Sequence, residues 1–276
     1  MRGEYNMIVK TNGGLSVLSA FINGYGAAVS INLPMYTEIN QNEFDIFPTA
    51  EVADTVNFIR SMFTLPDKYS INIRSQIPMG MGLKSSSAMT LSVIYGILKM
   101  NGIDMDSEDI LKIASKASVH NNTSITGAFD DLSIAYYGGF CFTDNVRNSI
   151  ISRHKIEEKY IILEFGNKKT ETYGMKNMDF SGYKNFYGRI LKLLKDGYIY
   201  ESMMLNGHIF SDGSDIPVIN HMLETGAVYA GRSGKGPAVF GVYETESSME
   251  SSFKELISDG FHVIKSRFNN TEINIS

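Results

Sequence analysis

Two glycines, a lysine and three consecutive serines fall together in the run Pro78-Met79-Gly80-Met81-Gly82-Leu83-Lys84-Ser85-Ser86-Ser87-Ala88. Glycines lack a Cβ, so the backbone can turn sharply and come close to a ligand. Serines at a helix start sit beside unpaired N–H groups and the positive end of the helix dipole. Together these features make a seat for phosphate. A hydroxyl of Ser85, Ser86 or Ser87, the latter two first, suits Mg²⁺, a hard cation that prefers oxygen. Lys84 sets a point charge beside the phosphates. No window of the chain gives G-x-x-x-x-G-K-[ST], and Gly80-Met81-Gly82 is followed by Leu83-Lys84-Ser85, without the third glycine of G-x-G-x-x-G. The plain structural reading of the same residues is a capped helix after a glycine turn.

Two further segments carry chemistry-bearing types. Asp130-Asp131 puts adjacent carboxylates at an expected helix start, where the dipole alone would favour them. One of them can also serve as the base or orienting group for an acceptor hydroxyl. Counting back from Gly138-Gly139 selects Asp131, and counting forward from Gly127 favours Asp130; Asp131 is preferred. A second glycine-rich loop, Gly231-Arg232-Ser233-Gly234-Lys235-Gly236-Pro237, precedes an apolar run. It reads either as a tight turn or as a second set of backbone N–H groups brought to the same site.

The elements that must position these residues alternate between β and α patterns. Short apolar runs at 7–10 and 15–18 flank Asn12-Gly13-Gly14, which reads as a turn. A helix is expected over 50–62 and a strand over 69–77 feeding the serine loop. Helices then follow over 86–99, from a cap at Asp106, and over 132–137, with a strand over 140–143. Polar and basic residues thicken over 144–155, which places a boundary there and gives domains 1–150 and 151–276. The second half reads as strand 160–165, helices 184–195, 199–209 and 217–224, strand 238–243, helix 248–258 and strand 261–268. Mixed segments without a strict βα repeat indicate α+β layers.

The chain has 276 residues, 43% of them hydrophobic, which suits two compact domains. A net charge of −5 with no dominant basic run excludes nucleic acid as a partner. No apolar run is long enough to span a membrane. The single cysteine, Cys141, permits no internal disulfide, and with a polar, leaderless start it indicates the cytoplasm. The five histidines lie apart, without zinc spacing.

The run P-x-x-x-G-L-x-S-S-S over 78–87 resembles the phosphate motif of the GHMP kinases, Thr126-Gly127-Ala128-Phe129-Asp130-Asp131 resembles their acidic segment, and 233–237 resembles their S-G-x-G-P loop. With Gly24-Tyr25-Gly26-Ala27-Ala28, the Lys-Ser-Ser-Ser form is similar to the archaeal-type shikimate kinases. The resemblance implies a domain like the second domain of ribosomal protein S5, followed by a ferredoxin-like domain, with the site between them. It implies ATP bound by residues 78–88 with Gly234 and Gly236, Mg²⁺ at Ser86 and Ser87, and shikimate as acceptor. Catalysis would fall to Asp131, with Asp130 as close second, and to Lys84. A substrate carboxylate needs a cation, for which Lys10, Arg74, Arg147 and Arg232 are candidates, with Arg232 first. The N-terminal G-E-H box of mevalonate kinases and galactokinases is absent, and Lys235 stands where the motif is often small or hydroxylated. Homoserine kinase is the neighbouring alternative, and a non-catalytic metabolite sensor the alternative of a different class. Oligomeric state is not legible.

Overall fold

The computed structural model describes residues 6–65, 68–165 and 181–276. Two long strands organise the first half. β1 (Asn6–Leu18) and β2 (Tyr25–Asn42) pair antiparallel, and β2 is long enough to hold two further partners along one edge. Its first residues pair with β4 (Phe140–Asp144) and its later ones with β3 (Lys68–Ser75). β5 (Ser149–His154) extends the sheet beyond β4, and β10 (Asn274–Ile275) adds the last described strand to the outer edge of β1. Residue 150, the expected division, therefore lies inside a strand of the first sheet, and the chain returns to that sheet at its end.

The expected turn at Asn12-Gly13-Gly14 is instead continuous strand with a register shift between Asn12 and Gly14. The glycines serve close approach: Gly14 N donates to Leu83 O at 3.1 Å, and a Cβ on Gly13 would come within 2.9 Å of that same oxygen. A glycine pair inside a strand marks such an approach as well as it marks a turn, and the sequence alone does not distinguish them.

Helices cover one face of this sheet. α1 (Ala50–Met62) and α3 (Ser107–His120) are amphipathic and lie outermost. α2 (Ser85–Met100) is apolar nearly all round, with Ala88, Leu91, Val93, Ile94, Ile97 and Leu98 buried, as a helix enclosed on every side must be. Gly96 lets it press onto the sheet, since a Cβ there would meet Ile39 Cδ1 at 2.4 Å. α4 (Phe129–Tyr137) begins three residues before the expected 132, which puts both aspartates in its first turn. Asp106 occupies the cap position of α3, as expected, yet its side chain makes no capping bond.

The second half is a four-stranded antiparallel sheet in the order β7-β8-β6-β9, from β6 (Tyr160–Glu164), β7 (Tyr229–Arg232), β8 (Val239–Tyr243) and β9 (Val263–Arg267). It carries α5 (Lys184–Lys195), α6 (Ile199–Phe210), α7 (Ile216–Glu224) and α8 (Glu246–Ser258). These elements agree with the sequence reading to within a few residues except β7, an unexpected strand whose Gly231 and Arg232 fall in what reads as the start of the glycine-rich loop. The layered α+β architecture expected for the chain is the one observed. Tyr187 of α5 and Asn206 of α6 join the halves. The Tyr187 hydroxyl lies 2.9 and 2.6 Å from the carbonyl oxygens of Ser19 and Tyr25, and Ser19 N donates to Asn206 Oδ1 at 2.9 Å.

Candidate active site

A polar cleft opens where the end of β1, the starts of α2 and α4, and the loop 233–237 converge. Ser16, Gly80, Gly82, Lys84, Ser85, Ser86, Ser87, Asp130, Asp131, Ser233 and Lys235 line it, together with Thr123, Ser124 and Thr126. The serine loop reaches its position because Gly80 and Gly82 take positive φ (74° and 77°) and Lys84 itself is left-handed at φ 70°. That twist ends the loop and starts α2 with no side-chain cap, so the N–H groups of Ser85, Ser86 and Ser87 have no hydrogen-bond partner among the described residues. Three orphan donors and a positive dipole end therefore face the cleft.

Lys84 is fixed at this threshold. Its Nζ lies 2.8 Å from Asp131 Oδ1 and donates to Ser16 Oγ at 2.6 Å, with both charged side chains more than four-fifths covered. The ion pair is direct, between a lysine at one helix start and a carboxylate at another. Asp130 differs from its neighbour. It is buried, accepts from Asn145 Nδ2 at 2.8 Å, and rests on β2, where a Cβ at Gly26 would come within 2.6 Å of its carboxyl carbon. Asn145 is held in turn by the Thr143 hydroxyl, 2.6 Å from Asn145 Oδ1. Burial, and then the Asp131 charge, push the Asp130 carboxyl well above the usual carboxylate range, against the opposing pull of Lys84 and Asn145. Asp131 thus faces the cleft as a paired carboxylate, and Asp130 backs it as a carboxyl biased towards its neutral form.

The third loop closes the wall from the second half of the chain. Ala238 N donates to Met81 O at 3.1 Å, the Ser233 hydroxyl lies 3.4 Å from Gly82 O and 3.3 Å from Ser16 N, and a Cβ on Gly82 would meet Gly236 O at 2.8 Å. Gly234 and Gly236 both have positive φ (54° and 68°) and pack against Ser16 and the serine loop rather than lining the cleft. Of the expected nucleotide loop, Gly80, Gly82 and residues 84–87 form the wall. Leu83 and Ala88 are core residues, Met81 packs on the core, Met79 is 61% exposed, and Pro78 lies outside the cleft. Arg232, the expected substrate cation, is turned into its own loop: Nε and Nη2 donate to Lys235 O at 3.1 and 2.9 Å, and Nη1 lies 3.4 Å from Asp215 Oδ2. It is not on the cleft wall, and neither are Lys10, Arg74 and Arg147.

Several wall residues escaped the sequence reading. Ser16 and Ser19 are buried hydroxyls in an apolar stretch, the one local signal that could have marked them. Glu51, in the first turn of α1, is joined to Ser86 only by the tertiary fold. Burial raises its carboxyl and the Asp54 charge adds to this, while a hydrogen bond from Ser86 pulls the other way; its Oε1 is buried without a hydrogen-bond partner among the described residues. No cluster of three histidine, cysteine or carboxylate side chains is found among the described residues.

This constellation of phosphate-seating helix start, lysine–aspartate pair and facing glycine loop is that of a small-molecule kinase, and comparison with known proteins agrees. Residues 50–139 match the family described as the GHMP kinases N terminal domain. The chain belongs to the GHMP kinases, on the branch of the archaeal shikimate kinases. Over 96% of its own length and 96% of the relative's, it is 32% identical to a shikimate kinase of Thermoplasma acidophilum. It is 30% identical to that of Pyrococcus abyssi, over 90% of this chain and 97% of the relative. The fold is shared with homoserine kinase from Cytophaga hutchinsonii (TM-score 0.75, 17% identity, 100% of this chain and 99% of that one). It is also shared with the Methanococcus jannaschii mevalonate kinase (TM-score 0.74, 16% identity, 98% and 100%). No described helix is long and apolar enough to cross a membrane.

Proposed function

We propose that this protein is an ATP-dependent kinase that phosphorylates the 3-hydroxyl of shikimate, yielding shikimate 3-phosphate and ADP. The observation that carries the reading is the Lys84–Asp131 pair, 2.8 Å apart at the uncapped start of α2. The backbone N–H groups of Ser85, Ser86 and Ser87 receive phosphate oxygens, which restores the partners the helix start lacks. Asp131 accepts or orients the proton of the acceptor hydroxyl as its oxygen bonds to the terminal phosphorus and the bond to the bridging oxygen breaks. Lys84 holds the Asp131 carboxylate in place at 2.8 Å for that task and sets a positive charge beside the transferring group.

The residues present fit Mg²⁺. Ser86 and Ser87 offer hydroxyl oxygens at the cleft, and the carboxyl group of Glu51, whose Oε1 is buried with no hydrogen-bond partner among the described residues, reaches Ser86. An octahedral hard cation held by one or two protein oxygens takes its remaining ligands from phosphates and water. When bound, it neutralises charge on the phosphates. The reading is supported by the named shikimate kinases that match nearly the whole chain. It is tested by coupled ADP-release assays on the purified protein with shikimate, homoserine and mevalonate as acceptors. ADP release dependent on shikimate is expected. Turnover of homoserine alone would move the substrate to the neighbouring kinase, and nucleotide binding without turnover of any acceptor would leave a sensor.

A further inference from the structure

Glu51 is an acidic side chain to which the transfer chemistry gives no task. It stands half-buried in the first turn of α1, and its Oε1 is buried with no hydrogen-bond partner among the described residues. A buried acceptor left open in this way is costly until something donates to it. The backbone cannot easily carry the group elsewhere. The Thr55 hydroxyl donates to Glu51 O at 2.8 Å, and Asn121 Nδ2, at the end of α3, donates to Thr55 Oγ1 at 3.0 Å. Val52 and Val56 hold the same helix in the core.

The polar group that Glu51 meets is the Ser86 hydroxyl, which donates to its carboxylate. Ser86 lines the cleft in the first turn of α2, among the N–H groups that lack partners, whereas Glu51 is not on the cleft wall. A hydroxyl has one proton and two acceptor lone pairs. With its proton committed to Glu51, the lone pairs of Ser86 Oγ are left for the cleft. No carboxylate accepts from Ser85 or Ser87 among the described residues, and Ser87 is buried. One residue of α1 therefore makes three neighbouring serines unequal. A group that takes the outer hydrogen bond of a ligating side chain orients it and raises its basicity.

We propose that Glu51 is a positioning residue that selects Ser86, and not Ser85 or Ser87, as the serine that holds Mg²⁺. It does so by fixing the hydroxyl proton away from the cation, and its open Oε1 accepts from one water of the hydrated ion. This inference rests on the kinase reading and on the fit of the serine loop to Mg²⁺. It ties the metal seat to α1, a helix that contributes nothing to the cleft wall.

The test uses Mn²⁺ as a spectroscopic stand-in, another cation suited to oxygen ligands. Mn²⁺ binding in the presence of ADP is followed by electron paramagnetic resonance, and binding of metal-free ADP by calorimetry. The proteins compared are the unaltered chain, Glu51→Gln, Ser86→Ala, Ser87→Ala and the Glu51→Gln/Ser86→Ala pair. Glu51→Gln keeps the shape of the side chain and is expected to weaken Mn²⁺ binding about 10- to 100-fold, with metal-free ADP affinity within about twofold. In steady-state kinetics its Mg²⁺ requirement should rise while the KM for shikimate holds. Ser86→Ala should match that loss and Ser87→Ala should fall short of it. The double variant should lose no more than Ser86→Ala, because both changes act through one hydroxyl. Losses that add in the double variant would mean that Glu51 does not act through Ser86, and would overturn the proposal. Unaltered Mn²⁺ binding in Glu51→Gln, or a larger loss in Ser87→Ala than in Ser86→Ala, would overturn it equally. If the unaltered protein binds no ADP with or without Mn²⁺, it is the kinase reading that fails.

Discussion

Four helices of this protein begin in two different ways. α1 and α8 start from threonines in extended backbone, Thr49 and Thr245, whose hydroxyls accept from the N–H groups of Val52 and Ser248 at 3.3 and 3.1 Å. α2 and α4 start from Lys84 and Ala128, both left-handed at φ 70° and 50°, with no capping side chain. A left-handed residue with a Cβ costs about 1–2 kcal/mol, and a missing cap costs about 1 kcal/mol more. The first pair of helices has its starts satisfied by side chains and lines none of the cleft wall, although Glu51 in the first turn of α1 reaches Ser86. The second pair carries both costs and forms the cleft. The difference separates starts that satisfy themselves from starts left open for a ligand, and backbone outliers of this kind gather at functional sites.

The sharpest way to break the comparison is at α4. Asp131→Asn removes the charge paired with Lys84 and is expected to lower kcat by about 10²- to 10⁴-fold while nucleotide affinity holds, as read by steady-state kinetics and calorimetry. If Asp130→Asn shows that profile and Asp131→Asn does not, the open start of α4 works through the wrong carboxylate. At α2, Gly82→Val forces a side chain onto φ 77° and against Gly236 O. The strain of about 1–3 kcal/mol should weaken ATP binding roughly ten- to hundredfold, with a native circular dichroism spectrum.

A smaller effect concerns Asp130 alone and is read by pH. The Asp130 carboxyl is raised from an unfolded value of 3.8, so the stability it contributes is fully present below that value and is lost as pH rises through the folded one. Asp130→Asn should therefore show a flatter decline of denaturation midpoint from about pH 4 to about pH 7 than the unaltered protein. A parallel decline in both would mean that Asp130 is not held neutral. The smallest effects belong to the closed starts. Thr49→Ala and Thr245→Ala should each cost about 1 kcal/mol in urea denaturation and leave kcat unchanged. Loss of activity at either site would erase the distinction between the two kinds of helix start.

Much of this was legible in the chain. The serine loop, the paired aspartates and the second glycine loop were each readable because local spacing decides them: glycines for positive φ, hydroxyls at a helix start, a break before an apolar strand. Most helices and strands followed from periodicity, which is a property of a few neighbouring residues. The failures have a common cause. Asn12-Gly13-Gly14 carries turn chemistry, but what uses those glycines is the Leu83 carbonyl, some seventy residues on. β5 falls in the stretch that reads as a domain boundary because its outer residues are exposed and polar, and only pairing with β4 makes it a strand.

The kind of chemistry was legible from local residue types, since phosphate seats and acid–base groups are written at fixed spacings along the chain. The tertiary structure decided which groups meet. It set Lys84 on Asp131 and not on Asp130, sealed Asp130 behind Asn145 and Gly26, turned Arg232 away into Asp215 and its own loop, and brought Lys235 and Glu51 to the serine loop. Those outcomes depend on burial and on the distance between charges, and both are set by the packing of strands and helices far apart in the chain.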